Sequence, residues 1–313
     1  MRPLPARFVV LLVAPLLVLS ACGGDDDSGD DGGSSSDTGG IEVTGDFGET
    51  PKVDIPDDYS VDSSKTEVVD EGNGDKLASG DDVLVQADLF NGTSGKEIAN
   101  MFSGGIPPQS TTVGAQDTVL PGLNGQIEGQ TLGSRVLISI SPDDGFGAQG
   151  NPQLQIGPKD TMVALVDLKP IPEAPKATGT VDDVTVTGEP GAKPKVSFDK
   201  PFYVDKTESK VISPGDGAVV KENDKVKVDY VGVNGRTGKE FDSSFSASGS
   251  KPVEFTLSQG QLIPGFLKGL IGQKLGSRVA IAIPRDDGYG PSGNAQAGIE
   301  GTDTLVFVVD LVE

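Results

Sequence analysis

Val226-Lys227-Val228-Asp229-Tyr230-Val231-Gly232-Val233-Asn234-Gly235 alternates side-chain character up to a tight-turn dipeptide. Val226, Val228, Tyr230 and Gly232 fall on one side of an extended chain and Lys227, Asp229 and Val231 on the other. That period of two marks a half-buried strand. Asn234-Gly235 and Thr237-Gly238 supply the backbone of a hairpin turn. Downstream, Val253–Leu257, Val279–Ile283 and Leu305–Val312 read as further strands. Between the first two of these, the stretch Pro264–Ile271 places Phe266, Leu267, Leu270 and Ile271 on one helical face. Pro264 opens that helix and Gly272 closes it. The expected fold class is α+β, an antiparallel sheet curled over one short helix.

Outward from this stretch the chain repeats itself. Val53–Leu168 overlays Val196–Leu311 at one constant offset, the 143 residues that separate Val53 from Val196. About 45 of roughly 120 positions match without a gap, more than chance gives over such a length. Asn91-Gly92 falls on Asn234-Gly235, and Gly95-Lys96-Glu97 on Gly238-Lys239-Glu240. Leu132-Gly133-Ser134-Arg135-Val136 falls on Leu275-Gly276-Ser277-Arg278-Val279, and Asp143-Asp144-Gly145 on Asp286-Asp287-Gly288. Two domains are therefore expected, at 51–170 and 194–313, each near the usual domain size. The Pro- and Gly-punctuated stretch 171–193 reads as a semi-stiff linker.

The N-terminal end has a different character. Arg2 and Arg7 precede the apolar run Phe8–Leu19, which is too short to span a bilayer and has the order of a secretory signal. Leu19-Ser20-Ala21-Cys22 looks like a bacterial lipobox, so residues 1–22 are expected to be a lipoprotein signal with Cys22 as the site of lipid attachment. Two or three acyl chains give stable anchoring. Residues 23–50 begin with Gly, Ser and Asp almost alone and are expected to be a disordered tether. Their Asp run lacks the spacing and closing Glu of an EF-hand loop.

Composition then narrows the function. Among 313 residues there is no His, no Trp and one Cys. Without His there is no Ser-His-Asp or Cys-His nucleophile system and no His-ligated metal. One Cys makes neither an intramolecular disulfide nor an iron–sulfur cluster. A formal charge of −22, or −24 once Arg2 and Arg7 leave with the signal, argues against nucleic acid as a partner. It argues equally against passive docking on anionic lipid. No cofactor and no metal are expected.

The second copy resembles the FKBP-type peptidyl-prolyl cis-trans isomerase domain over essentially its whole length. The resemblance is carried by Ile212-Ser213-Pro214-Gly215-Asp216-Gly217, Val228–Gly232, Gly238–Ser244, Ile263-Pro264-Gly265-Phe266, Asp287-Gly288-Tyr289-Gly290 and Thr304–Phe307. It implies two tandem FKBP-like domains and a reaction that breaks no bond and moves no proton, which suits a chain without His. It further implies that Tyr230, Phe241 and Phe307 wall a proline pocket with Phe266 as its floor, where many relatives carry Trp. Ile263 would offer its backbone N–H and Tyr289 its hydroxyl to the substrate, while Asp242 would orient polar groups at the edge. Leu262 would pack at the rim, Ile299 would close the far side, and Val253 stands where an aromatic is common. Phe255 is read as core. The segment Phe245–Lys251 is longer than in the smallest relatives and offers no Arg to Asp242.

In the first copy these positions are Ala87, Ile98, Ala99, Leu123 and Ala164, with Phe146 in place of Tyr289. That domain is expected to fold alike with little or no isomerase activity, as a spacer, docking surface or holdase. The expected partners are proline-containing segments of unfolded or exported proteins, a membrane reached through the lipid on Cys22, and a macrolide inhibitor of the family. A non-catalytic module that grips proline-containing peptides at the cell surface is the rival reading.

Overall fold

The computed structural model describes residues 36–103, 106–115, 122–246 and 249–312. The expected signal segment and Cys22 lie outside the described residues. The first half runs β1 (Ser36–Thr38), β2 (Ile41–Thr44), β3 (Lys52–Asp54), β4 (Lys65–Asp70), β5 (Asp82–Asn91), β6 (Lys96–Asn100) and β7 (Gln109–Thr112). It continues through α1 (Leu123–Gln126), β8 (Arg135–Ile140) and β9 (Met162–Lys169). The second half repeats this order as β10 (Thr185–Thr187), β11 (Lys195–Ser197), β12 (Glu208–Ser213), β13 (Lys225–Asn234) and β14 (Glu240–Ser243). After a small ribbon of β15 (Phe245–Ser246) and β16 (Gly249–Ser250) come β17 (Val253–Thr256), α2 (Pro264–Leu270), β18 (Arg278–Ile283) and β19 (Leu305–Val312).

Each half builds a six-stranded antiparallel sheet, in the order β4-β8-β9-β5-β6 with β7 also on β5, and β12-β18-β19-β13-β14 with β17 also on β13. The long strand of each sheet thus serves two successive partners along one edge. Val231–Val233 pair with β14, and Lys225–Val228 pair with β17. The register shifts between Gly232 and Val233, where β14 carries one extra residue, Phe241, as a bulge against the long strand.

The central strands are apolar on both faces because both faces are covered. On the concave face of the second sheet, Val279, Ile281, Ile283 and Val309 pack with Phe266, Leu267 and Leu270 of α2. On the opposite face, Ala280, Ala282, Val306 and Val308 pack against Val181, Val184, Phe202 and Val204. Ile271, expected on the buried face of the helix, is 40 % exposed, because the chain turns extended there ahead of Gly272 at φ 91.

The covering layers correct two boundaries. Of the expected tether over 23–50, residues 23–35 lie outside the described residues and the rest is folded: β1, β2 and β3 form a small sheet, and Ile41 and Val43 are fully buried against Phe90, Leu137, Val163 and Leu165. The expected linker over 171–193 likewise contains a 3-10 turn at Val181–Asp183 and β10, which pairs with β11. Composition misled because glycines stand in these hairpin turns, at φ 97 for Gly45 and φ 105 for Gly188, rather than marking flexible chain. The 143-residue offset therefore holds upstream too, from Ile41 onto Val184.

A buried ion pair fastens each hairpin to its sheet. Arg278 donates from Nε and Nη2 to Asp310 at 2.5 and 2.6 Å, and its remaining N–H groups reach the carbonyls of Gly188 and Ala192 at 2.7 and 2.8 Å. Arg135 repeats this with Asp167 and the carbonyls of Gly45 and Glu49.

One buried carboxyl in the first domain lacks that support. Asp88 is 2 % exposed; Asn100 donates to Oδ2 at 3.1 Å, while Oδ1 has no partner among the described residues. Burial and the nearby Glu97 push its carboxyl from 3.8 up to about 7. Below about pH 4 the carboxyl is neutral folded and unfolded, so it imposes no penalty. Between about pH 4 and 7 the folded state holds the extra proton, and stability falls as pH rises, with the full loss present above about pH 7. The second copy carries Val231 at this position. Asp88→Val is expected to stabilise the first domain by about 2 kcal/mol at pH 8, and by progressively less towards pH 4. Denaturant unfolding of the full chain at the two pH values checks this; an equal gain at both would refute it.

Candidate functional site

On the concave side of the second sheet three strands and α2 bring four aromatic rings together. Phe307 of β19 stacks edge-on with Phe241 of β14 at a centroid distance of 5.5 Å and with Phe266 of α2 at 5.2 Å. Tyr230 of β13 lies 6.5 Å from Phe266 and 6.3 Å from Phe307. Register explains the meeting: Tyr230 pairs with Val309 and Gly232 with Phe307, so the rings issue from rungs two apart, on one face of the sheet. T-shaped contacts set the negative face of one ring against the positive edge of the next.

Gly232 is what leaves room for the rings. A Cβ there would stand 2.7 Å from Phe241 Cζ and 2.9 Å from a Phe307 ring carbon. The first copy has Leu89 at that position and, in keeping with the steric conflict, neither Phe. On that side Leu89, Ile98, Met101, Phe146 and Leu154 pack half-buried on the core, and Ile98 and Leu154 also line a cavity with the polar residues Asn91 and Asp160.

The polar residues sit at the mouth. Tyr230 Oη donates to Asp242 Oδ2 at 2.7 Å, and Asp242 Oδ1 accepts the Ser243 amide at 2.8 Å. Burial of the ring, followed by the hydrogen bond to Asp242, holds the Tyr230 phenol well above its ordinary range. Tyr289 is 38 % exposed, and its phenol is raised by burial, opposed by a hydrogen bond with Asn294. Lys268 of α2 and Thr207 both hold Asp287, at 2.6 Å each, which fixes the loop carrying Tyr289.

The structure thus assembles Tyr230, Phe241, Phe266 and Phe307 as one cluster, with Leu262, Ile263 and Ile299 packed into the same apolar group. Ile263 is the N-cap of α2, extended ahead of Pro264. Asp242 and Tyr289 flank this group. Val253 stands apart, half-buried on β17 opposite Val228. Phe255, read as core, packs on the core and also lies 6.2 Å from Tyr230 and 5.9 Å from Phe266, so it extends the ring wall. Its place two residues after Val253, on the same strand face, was the available signal.

Two separate stretches of the chain, 74–169 and 217–312, match the sequence profile of the FKBP-type peptidyl-prolyl cis-trans isomerases. The chain belongs to that family. It is an isomerase of the FKBP type with two FKBP-like domains. An FK506-binding protein of Streptomyces anulatus is 39% identical over 120 residues, covering 38% of this chain and 95% of that protein. A probable FKBP-type peptidyl-prolyl cis-trans isomerase of Haemophilus influenzae is 30% identical over 202 residues, covering 59% of this chain and 81% of that one. The crystal structure of the three FKBP domains of wheat FKBP73 aligns at 20% identity and a TM-score of 0.32, covering 79% of this chain and 93% of the wheat chain. Both FKBP matches begin beyond the N-terminal hairpins, which each domain adds on the far face of its sheet.

Proposed function

We propose that the second domain carries the isomerase activity, that the first domain is a scaffold without it, and that the chain is exported and held at the outer face of the membrane by lipid on Cys22, where it assists folding of secreted or envelope proteins. The observation that carries this reading is the ring cluster of Tyr230, Phe241, Phe266 and Phe307 with its Tyr230–Asp242 bond, set against Ala87, Ile98, Leu123 and Ala164 at the same positions of the first domain.

The geometry suits the reaction. An Xaa-Pro bond turns over a barrier of about 18–20 kcal/mol because twisting removes amide resonance. The twisted amide is less well solvated by water than the planar one is, so a dry aromatic cage favours it relative to bulk solvent. Fixed donors hold the flanking carbonyls while the prolyl side rotates. The Ile263 N–H and the Tyr289 hydroxyl, itself bonded to Asn294, fill that role, and Asp242 steadies Tyr230. No step calls for a metal or a covalent intermediate.

A proline-limited peptide assay on the full chain tests the assignment. The triple variant Tyr230→Ala, Asp242→Val, Phe307→Ala is expected to fall to the uncatalysed rate, whereas Ile98→Ala with Phe146→Ala leaves the rate unchanged. A triple variant as active as the parent would remove the second domain as the site. Cys22→Ser, expressed in a bacterium that processes lipoproteins, is expected to move the chain from the membrane fraction to the soluble one. Tight binding of proline peptides without any rate gain would select the non-catalytic rival.

A further inference from the structure

Against the backbone of Tyr230 lies a buried polar pair that the aromatic cluster does not itself require. Along one edge of β13, Val231–Val233 pair with β14 and Lys225–Val228 with β17, so Asp229 and Tyr230 fall in the gap between the two partners. Ser244 fills that gap. Its Oγ accepts the Tyr230 N–H at 2.9 Å and donates to Asp229 Oδ1 at 2.9 Å, while its own N–H donates to the Tyr230 carbonyl at 3.0 Å. Ser244 and Asp229 are both buried. Two residues upstream, Asp242 accepts from the Tyr230 hydroxyl. The short run Asp242–Ser244 therefore grips Tyr230 at its backbone and at its phenol together.

The first domain shows what the fold needs at this gap. There Met101 stands for Ser244 and Gln86 for Asp229. The Met101 N–H still reaches the Ala87 carbonyl at 3.0 Å, and its sulfur takes the Ala87 N–H at 3.4 Å. Gln86 turns to Lys169 and to the Met101 carbonyl. The gap closes without a serine–carboxylate pair, so the pair is not a condition of folding. Polar groups that hold the fold are kept in both copies: Arg135 and Arg278, Asp167 and Asp310, Ser134 and Ser277, Asn91 and Asn234. Asp229 and Ser244 instead appear only where Tyr230 and Asp242 appear. A buried carboxylate costs free energy unless hydrogen-bonded, and a domain that keeps one beside its cleft keeps it for geometry.

We propose that Asp229 and Ser244 are positioning residues of the isomerase site, which fix the Tyr230 segment so that its hydroxyl stays on Asp242 and its ring faces the bound prolyl segment. The proposal rests on the reading that the second-domain cage is the catalytic site. Asp229 orients Ser244 Oγ, Ser244 sets the Tyr230 backbone, and only Tyr230 meets the substrate.

The test is the proline-limited peptide assay on the full chain, with circular dichroism and thermal unfolding to verify folding. Ser244→Ala is expected to lower kcat/KM about 3- to 10-fold, the weight of one net hydrogen bond. In a Tyr230→Phe background, which lacks the positioned hydroxyl, the same change is expected to cost less than about twofold. Asp229→Asn keeps an oxygen for Ser244 and is expected to stay within about twofold of the parent, whereas Asp229→Leu matches Ser244→Ala. Parental activity in Ser244→Ala, or an undiminished loss in the Tyr230→Phe background, would overturn the proposal. Should Ser244→Ala fail to fold, equal rates for Asp229→Asn and Asp229→Leu would overturn it in its place. The triple variant Tyr230→Ala, Asp242→Val, Phe307→Ala, run alongside, separates the two levels: its full activity would remove the second-domain reading itself.

Discussion

Phe307→Ala in the full chain is expected to lower kcat/KM for a proline-limited peptide by about 100-fold, a loss of about 2.7 kcal/mol of transition-state stabilisation. Phe307 joins the two walls to the floor, with Phe241, Phe266 and Tyr230 all within 6.3 Å of its ring centre. Removing it does more than shorten one wall. Phe241 and Phe266 lose their edge-on partner, and water reaches the floor where the amide must twist. Water solvates the planar amide better than the twisted one, so the barrier rises towards its solution value. The first domain carries Ala164 at this position, and has Leu89 where the second has Gly232 with the Phe241 and Phe307 rings packed over it. A Phe307→Ala, Phe241→Ile, Gly232→Leu triple variant, which reproduces Ala164, Ile98 and Leu89 of the first domain, is accordingly expected to recover part of the lost stability and none of the rate. Recovery of the rate would show that apolar filling alone suffices and that ring geometry does not matter.

Much of this site was legible in the sequence, and the reasons differ residue by residue. The alternation from Val226 to Gly232 put Tyr230 on the core face, and the helical spacing of Phe266, Leu267 and Leu270 put Phe266 on the buried face of its helix. Both are periodicities of the local backbone, which a sequence displays directly. Phe241 and Phe307 came only through resemblance, since nothing local tells a ring that walls a cleft from one that fills a core. Phe255 shows the limit of that distinction: it does both. The Asp229–Ser244 bond was hidden because it depends on a gap between two partner strands, and strand pairing is not local. The N-terminal hairpins were misjudged for a related reason. Ile41 and Val43 are only two apolar residues beside a long Gly-Ser-Asp run, too few to announce a strand until the face they cover is known.

That face gives the other large effect. Arg278→Ala is expected to destabilise the second domain by about 3–5 kcal/mol, the usual cost of leaving one member of a buried ion pair alone. Asp310 would lose both guanidinium hydrogen bonds, keeping the Gly191 amide at 2.8 Å, and the carbonyls of Gly188 and Ala192 would lose their donor. The hairpin of β10 and β11 would then keep the Gly191 amide, the exposed Lys193–Glu240 pair and apolar contact over Ala280, Ala282, Val306 and Val308. Those residues sit on the sheet face opposite the aromatic cage, so stability and activity should separate. Where the variant is still folded, at low temperature and low denaturant, its kcat/KM is expected to remain within about twofold of the parent, because the cage rings contact neither Arg278 nor the hairpin. Arg278→Ala together with Asp310→Leu removes the orphaned charge and is expected to regain a sizeable part of the stability, since an apolar replacement of a buried pair is often near neutral. Denaturant unfolding of the three chains measures both effects. A loss below about 1 kcal/mol for Arg278→Ala would mean that the hairpin is an appendage of the domain and not its outer layer.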